Sequence, residues 1–316
     1  MLQKIEEKLP VFDTAEFKEL VDKMEDTPFK RNILFFIENG YVVICNSVSA
    51  ERIDKAVDAF VSWKKRNGSK FVNEFYKVNT VGLLDRIINI QANIPIFKEL
   101  FAYSSSLEYQ DFLFQRKTSF YTSLFFEVGS SQDIHRDEPY FWTQPAHYYF
   151  GTWLALEDTN ETNGPLTVIP GSHKLSPALI DKIKIAKDKY PDLDNINPMD
   201  NDLWVNYQTE LFKVCKEHNL TVKEVHAKKG DTIIWHPLLA HGGARIKDPA
   251  KTRMSLVIHT TPYDVPVFGQ DVFYNPDKEV KLSSGFTYET INNRDIPQYA
   301  TISIGHKDNF DYTSLI

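Results

Sequence analysis

A histidine and a carboxylate stand at a metal-binding spacing near the middle of the 316-residue chain. His135 and Asp137 lie two positions apart in the segment 129–137. On an extended strand, residues i and i+2 project from the same face, with their Cα atoms about 6.6 Å apart. Two such side chains can reach one ion at roughly 2.0–2.2 Å. The pair is a weak signal by itself, because a structural or surface histidine near an aspartate is the commoner situation.

A third ligand is expected from a distant strand, and the segment 230–243 offers His236 and His241. Either would complete the two-histidine, one-carboxylate face that suits non-haem Fe(II) and leaves coordination positions open. The two histidines are an odd number of positions apart, so on a regular strand they face opposite sides. Gly242 and Gly243 permit another group to approach closely after His241. The glycine pair points to His241, but the residues alone leave both histidines as candidates for the third ligand.

Arg253 follows His241 by twelve positions, in the β-patterned run 252–259. A buried guanidinium favours a carboxylate partner, because its planar fork makes two parallel charge-assisted hydrogen bonds. A dicarboxylate co-substrate would supply that partner. A structural ion pair with one of the 43 acidic residues would satisfy it equally well, and the residue types alone do not separate these two interpretations.

The secondary structure predicted to position these residues differs between the N-terminal part and the rest of the chain. Residues 1–110 are predicted to be mostly helical, with a short strand at 40–45 and one or two further helices in 80–101. From about 112 to 262, short β-rich runs separated by Gly, Pro and Asn turns indicate an antiparallel sandwich or barrel. The charged segment 175–220 reads as a helical insert in this core. One domain spanning 1–316, mainly β with helical additions, is the simplest prediction, and the tail beyond 262 is not placed.

Composition limits the class of protein. The net charge is −7, without a long basic run, which disfavours nucleic acid as a partner. No apolar stretch approaches the roughly 18 residues of a membrane span, and the first residues lack the apolar core of a signal peptide. Cys45 and Cys215 match neither a disulfide framework nor a zinc site. A cytoplasmic protein is expected, and the sequence leaves its oligomeric state open.

The stretch from about 119 to 260 resembles the phytanoyl-CoA dioxygenase family of Fe(II)- and 2-oxoglutarate-dependent oxygenases. An ordered set of segments carries this resemblance, and the set is far more specific than any one member. The segments are 126–130, His135-Arg-Asp137, 153–158, 163–174, Gly230-Asp231, His241-Gly242 and Arg253, and 38–44 is similar to an N-terminal strand of that family. The insert 175–220 and the tail beyond 265 lie outside the resemblance.

The resemblance implies a double-stranded β-helix, of the jelly-roll or cupin type, with Fe(II) bound by His135, Asp137 and His241. Two positions depart from the family pattern. Many relatives have Gln where this chain has Arg136, and many have Ser where it has Gly243. Both positions can contact the co-substrate, so the departures concern its secondary contacts rather than the iron ligands.

The resemblance also implies that 2-oxoglutarate chelates the iron and reaches Arg253 with its far carboxylate. Trp153 occupies a position where the family often has an aromatic residue beside the co-substrate. Ser255 lies two positions beyond Arg253 on the same strand face. It could add a hydroxyl contact to the co-substrate, or it could be an inward-facing core serine.

Substrate contacts are predicted from aromatic residues near the metal motif. Tyr140 and Trp142 follow it directly and are candidates for the substrate mouth, although a loop packed by its own aromatics is nearly as good an interpretation. Tyr121, on the strand at 119–127, is a third candidate, but alternation does not say which side of that strand faces inward. His259, on the Arg253 strand, is a core or a pocket residue by spacing alone.

The activity implied is oxidation of an unactivated C–H bond of a small-molecule metabolite, with consumption of O2 and decarboxylation of 2-oxoglutarate to succinate. Hydroxylation is the default outcome, and desaturation or oxidative cyclisation is the rival, because both begin with hydrogen abstraction. Asp137 disfavours halogenation, since related halogenases have a small residue there. A non-catalytic cupin-like binding protein and a metal-dependent isomerase or hydrolase are the alternatives from other classes.

Overall fold

The computed structural model describes residues 2–3, 9–75, 78–263, 265–282, 287–298, 301–304 and 308–311. The helices are α1 Ala15–Asp22, α2 Pro28–Asn39, α3 Ala50–Phe75, α4 Ile90–Asn93, α5 Phe97–Ala102, α6 Ser106–Phe114, α7 Lys182–Lys187, α8 Asn201–Glu217 and α9 Gln270–Phe273. The strands are β1 Leu2–Gln3, β2 Tyr41–Ile44, β3 Ile87–Ile88, β4 Thr118–Phe126, β5 Trp142–Thr143, β6 Phe150–Ala155, β7 Leu166–Val168, β8 Lys223–Val225, β9 Thr232–Trp235, β10 His241–Gly243, β11 Ser255–Pro262, β12 Val267–Phe268, β13 Val280–Lys281, β14 Tyr288–Ile291, β15 Arg294–Pro297, β16 Thr301–Ile304 and β17 Asp308–Asp311.

Two antiparallel sheets form the centre of the fold. The larger has the strand order β2-β9-β6-β11-β4-β3, and the smaller has the order β10-β7-β8. Side chains from both sheets share one apolar cluster, in which Trp153 and Val257 of the larger sheet pack with Leu166 and Val168 of the smaller. Because apolar residues of both sheets point into this common core, the sheets face each other as in the predicted sandwich.

Helices cover the outer face of the larger sheet. Alternate residues of β6 and β11, including Leu154 and Leu256, pack against α3 and the short helices α4 and α5. Successive side chains of a strand point to opposite faces of the sheet, so a sheet that is buried on both sides needs apolar residues at consecutive positions. The segment 80–88, expected to be helical, instead forms turns and the strand β3, because Ile87 and Ile88 pair with β4.

The N-terminal helices begin and end at local sequence signals. The hydroxyl of Thr27 accepts a hydrogen bond from the backbone N–H of Lys30, and Pro28 is the first residue of α2. Gly40 ends the helix in the left-handed conformation, with φ of 78°. The chain then enters β2, which pairs with β9 over its full length.

The segment 175–220 forms α7, α8 and connecting turns, in agreement with the predicted helical insert. The buried face of α8, with Leu203, Tyr207 and Leu211, packs against the β5 and α9 region. Within the described residues, no helix has the length and apolar character needed to cross a bilayer.

Candidate active site

His135, Asp137 and His241 meet between the two sheets. His135 and His241 are opposed in an antiparallel bridge, each backbone N–H donating to the other residue's carbonyl at 2.8 and 2.9 Å. Nε2 of His135 lies 3.7 Å from Oδ1 of Asp137, and Nε2 of His241 lies 3.6 Å from Oδ2. One ligand atom from each side chain falls within 4.8 Å of the other two. Two imidazoles and a carboxylate at these separations can bind one divalent ion.

Backbone carbonyls fix which ring nitrogen of each histidine faces the centre. Nδ1 of His135 lies 2.7 Å from the carbonyl oxygen of Asp133, and Nδ1 of His241 lies 3.0 Å from that of Leu239. A carbonyl only accepts, so each Nδ1 carries the proton and each Nε2 presents a lone pair to the centre. Burial lowers the pKa of His135 to about 4 and also lowers the pKa of His241. Both rings are therefore neutral near pH 7, which is the form that binds metal.

Two N–H groups hold the carboxylate of Asp137. The indole Nε1–H of Trp235 donates to Oδ2 at 3.1 Å, and Nε2 of His259 lies 3.2 Å from the same oxygen. The His259 ring is stacked on Phe141, with their centroids 3.8 Å apart. Burial raises the pKa of Asp137, but the surrounding imidazoles lower it by more than burial raises it, so the pKa lies below its usual range. Asp137 is consequently an oriented anion.

Two glycines make these approaches possible. A Cβ on Gly242 would lie 2.7 Å from the carbonyl oxygen of Gln132, so the strand after His241 could not come this close to the loop before His135. A Cβ on Gly151 would lie 2.0 Å from the indole of Trp235. The absence of that Cβ lets the indole cross β6 and reach Asp137.

Arg253 is buried, with 2% of its surface exposed. Its guanidinium carbon lies 5.3 Å from the ring centroid of Trp153, and burial lowers its pKa to about 10, so it stays charged at neutral pH. Among the described residues, no carboxylate pairs with it and its Nε has no hydrogen-bond partner. The nearby acid Glu157 already accepts from Thr252 and from the backbone N–H of Met254. A buried cation of this kind is suited to an external anion.

Ser255 and Trp153 extend this unsatisfied polar surface. The hydroxyl of Ser255 and the indole Nε1–H of Trp153 are buried and lack partners within the described part of the chain. Buried polar groups are normally hydrogen-bonded, so each such atom needs an explanation. Trp153 lines the cavity with Arg253, where a keto diacid would supply an acceptor for its indole, whereas Ser255 is not part of the described cavity lining. The residues present therefore fit both Fe(II) and 2-oxoglutarate.

One cavity of about 150 Å³ connects these groups. Its lining comprises Arg86, Leu124, Phe126, Ser130, Gln132, His135, Asp137, Tyr140, Phe141, Trp153, Leu166, Trp204, Trp235, His241, Gly242, Arg253, Val257 and His259. Of the three predicted substrate residues, Tyr140 belongs to this lining. Trp142 and Tyr121 do not, within the described residues. Trp142 begins β5 and packs on Phe273, because the turn after Asp137 carries its side chain into a different apolar cluster. Tyr121 is buried behind Phe141.

A sequence model of a known family matches residues 36–255, which is more than half of the chain; its description is "Phytanoyl-CoA dioxygenase (PhyH)". The chain belongs to the phytanoyl-CoA dioxygenase family. Human peroxisomal phytanoyl-CoA dioxygenase is 24% identical over 245 residues, covering 67% of this chain and 62% of the human protein. The mouse peroxisomal enzyme is 28% identical over 120 residues, covering 37% of this chain and 30% of its own length. The chain thus matches less than two thirds of the length of these relatives.

Solved structures confirm the predicted double-stranded β-helix of the phytanoyl-CoA dioxygenase family. EctD from S. alaskensis in its apoform superposes with a TM-score of 0.58 at 16% identity, covering 84% of this chain and 86% of that one. The epimerase SnoN, in complex with Fe3+, alpha ketoglutarate and nogalamycin RO, gives a TM-score of 0.56 at 14% identity, with 85% and 94% covered. At these identities the likeness establishes the fold.

Both departures from the phytanoyl-CoA dioxygenase pattern have structural explanations. The guanidinium of Arg136 is buried away from the cavity, donates to the carbonyl of Ser172 at 2.8 Å and lies 3.6 Å from the carboxylate of Glu138. It therefore braces the metal loop. At Gly243, a Cβ would lie 2.6 Å from Oγ of Ser130, so the neighbouring serine occupies the space of a side chain there.

The sequence left His259 open as a core or a pocket residue, and the structure places it in the cavity lining of this member of the phytanoyl-CoA dioxygenase family. Trp235 and Trp204 also line the cavity and were not predicted. The role of Trp235 depends on the open space at Gly151, and Trp204 comes from the insert, which was predicted only to be helical.

The remaining histidine candidates are accounted for by packing. His236 lies on the far side of β9 from the metal centre, and its Nε2 is 3.0 Å from the carboxylate of Asp13. His173, in the turn after β7, has its Nε2 3.0 Å from the carbonyl oxygen of Ile37. Both are structural residues in this fold.

Proposed function

We propose that the protein is an Fe(II)- and 2-oxoglutarate-dependent oxygenase that hydroxylates an unactivated C–H bond of a small-molecule metabolite. The balanced reaction converts substrate, O2 and 2-oxoglutarate into hydroxylated product, succinate and CO2. One observation carries the proposal. A two-histidine, one-carboxylate cluster lines the same small cavity as a buried arginine that pairs with no carboxylate among the described residues.

His135, Asp137 and His241 would hold Fe(II), and a set of three protein ligands would leave coordination positions for a keto acid and O2. Fe(II) bound there would supply the redox chemistry that couples decarboxylation of 2-oxoglutarate to oxidation of the C–H bond. His135 and His241 bind through Nε2, and Asp137 is kept anionic and oriented. Arg253 binds the far carboxylate of 2-oxoglutarate, for which its planar fork is matched.

The aromatic lining restricts water. Trp235, Phe141 and Trp153 surround the metal ligands, and Trp204 covers His135 with a centroid separation of 5.5 Å. A dry cavity protects reactive species from side reactions and strengthens each electrostatic contact. These side chains therefore also direct the oxidising power to a bound substrate carbon.

Succinate formation tests the proposal directly. The purified protein with Fe(II), O2 and 2-oxoglutarate is expected to produce succinate, slowly without a primary substrate and faster with one. Asp137→Ala and His135→Ala are expected to abolish this activity. Arg66→Met changes an exposed helix residue that is not part of the described cavity lining, and it serves as the matched control. If Asp137→Ala and His135→Ala produced as much succinate as the wild type does, the proposed function would be refuted.

Product mass separates hydroxylation from its rival within the same chemistry. Hydroxylation adds one oxygen atom, whereas desaturation or oxidative cyclisation removes two hydrogens. The comparison proteins include a carbocyclase and an epimerase of nogalamycin biosynthesis, which share the fold. A non-catalytic binding protein would instead bind 2-oxoglutarate without consuming O2.

A further inference from the structure

Arg86 stands at the rim of the catalytic cavity. It directly precedes β3, whose Ile88 pairs with Leu124 of β4, and Leu124 lines the cavity. The Arg86 side chain lines the same cavity while remaining exposed to solvent. No hydrogen bond or ion pair joins it to any residue that the structure describes. A guanidinium is thus presented, without a partner, at the mouth of the site.

The charges inside the cavity leave Arg86 uncompensated. The described lining contains three charged residues, namely Asp137, Arg253 and Arg86. If the proposed function holds, Fe(II), the dianionic co-substrate, Asp137 and Arg253 together sum to zero. One positive charge then remains, at the mouth, where a primary substrate must pass.

The surroundings of Arg86 match an anion attached to an apolar body. Tyr140 and Gln132 add polar groups to the cavity lining, and Trp204 lies stacked beside Tyr140 with their centroids 6.4 Å apart. Arg86 and Tyr140 line the same cavity; burial and Asp200 raise the pKa of the Tyr140 phenol, and Arg86 acts against this. Asp200, which also influences Tyr140, is already paired with Lys189 at 2.8 Å. The carboxylate of Asp200 is therefore already engaged by a lysine.

We propose that Arg86 binds a carboxylate of the primary substrate, and that the substrate is a small organic monocarboxylate whose apolar body lies against Trp204 and Phe141. A single guanidinium matches one carboxylate, because two parallel hydrogen bonds satisfy both groups. A coenzyme A thioester carries several phosphates, and the described lining offers no second free cation at the rim. The inference rests on the proposed function for the identity of the site, and it adds the class of substrate.

Matched ligand pairs test this inference. The probes are aryl-alkyl and aliphatic carboxylic acids, each compared with its primary amide, its phosphate monoester counterpart and its coenzyme A thioester. Binding is measured by calorimetry on the protein loaded with Co(II) and 2-oxoglutarate. The best acid is expected to bind about tenfold more tightly than its amide. Arg86→Met removes this preference, Arg86→Lys retains part of it, and Arg66→Met leaves it unchanged.

Several outcomes overturn the inference. Equal binding of acids and amides, binding of no probe at all, or a preference that survives in Arg86→Met contradicts it. Tighter binding of phosphate monoesters or thioesters through Arg86 assigns the rim to a phosphate instead. A parallel loss of 2-oxoglutarate affinity in Arg86→Met assigns it to the co-substrate. Succinate formation by the wild-type protein without primary substrate is measured separately, so failure of the proposed function remains distinguishable.

Discussion

Replacing His259 with phenylalanine removes one of the two N–H groups that hold the carboxylate of Asp137. In the wild-type protein, Nε2 of His259 and Nε1 of Trp235 lie 3.2 and 3.1 Å from the same oxygen. A phenyl ring retains the stacking on Phe141, where the present centroid separation is 3.8 Å. The substitution therefore separates the hydrogen bond from the packing.

The expected loss follows from the charge on the acceptor. A hydrogen bond to a charged group contributes about 1.5–3 kcal/mol, and about 1.4 kcal/mol corresponds to a factor of ten in affinity. His259→Phe is thus expected to weaken metal binding by roughly 10- to 100-fold, as for other partners of metal ligands. Trp235→Phe removes the second donor to the same oxygen and is expected to have a similar effect. His259→Gln, whose amide can donate, should recover part of the loss.

Metal affinity is measured without O2 by titrating Co(II), whose visible absorption reports its ligands, in the absence of any primary substrate. Circular dichroism and thermal unfolding of the same samples establish that each variant is folded. If folded His259→Phe binds Co(II) as tightly as the wild type does, the reasoning about Asp137 is refuted. The same conclusion follows if His259→Gln and His259→Phe lose affinity equally while Trp235→Phe loses none.

Three further predictions concern the anion site, a close packing contact and pH. Arg253→Met is expected to weaken 2-oxoglutarate binding by about 100-fold or more, measured by calorimetry, with Arg253→Lys in between; unchanged affinity contradicts the assigned role. Gly151→Ala forces the Trp235 indole to move, so a loss of about 1–3 kcal/mol in the free energy of unfolding and weaker Co(II) binding are expected, and wild-type values of both would show the contact to be unimportant. Burial raises the pKa of Asp200, but hydrogen bonds from Lys189 and a neighbouring tyrosine lower it to about 2. Because the folded pKa is depressed, the ion pair stabilises the protein above about pH 4 and this contribution is lost as the pH falls toward 2. Asp200→Asn, which keeps an acceptor for the start of α8, should therefore differ from the wild type in denaturant unfolding at pH 7 and converge with it in acid; a constant difference contradicts this.

The structure brings His135, Asp137 and His241 together, as the sequence led us to expect, because their spacing follows local rules. His135 and Asp137 are two apart, and His241 is followed by the glycines that let the chains meet. Arg253 remained ambiguous, because an internal acid could have paired with it. Only the three-dimensional arrangement shows that Glu157 is already bonded elsewhere.

The cavity rim could not be predicted in the same way. Arg86 directly precedes the short strand β3, which pairs with β4, whereas the surrounding sequence favoured a helix. Trp204 lies in the insert, where nothing in the amphipathic pattern distinguishes a cavity wall from a core residue. A contact between distant segments does not change the hydrophobic periodicity of either segment, so it cannot be predicted from that periodicity.

The inner part of the cavity and its rim come from different segments of the chain. This difference determines how much family membership says about the substrate. The iron ligands and Arg253 lie in the segments that carry the phytanoyl-CoA dioxygenase motifs, so the oxidising chemistry follows from residues that those motifs define. Arg86 directly precedes the short edge strand β3, and Trp204 lies on the inserted helix α8, so neither residue belongs to the segments that carry those motifs. If the proposed function holds, substrate choice depends on residues outside the motif segments, and we expect Trp204→Ala to change the affinity for the primary substrate while 2-oxoglutarate binding, measured by calorimetry, is retained.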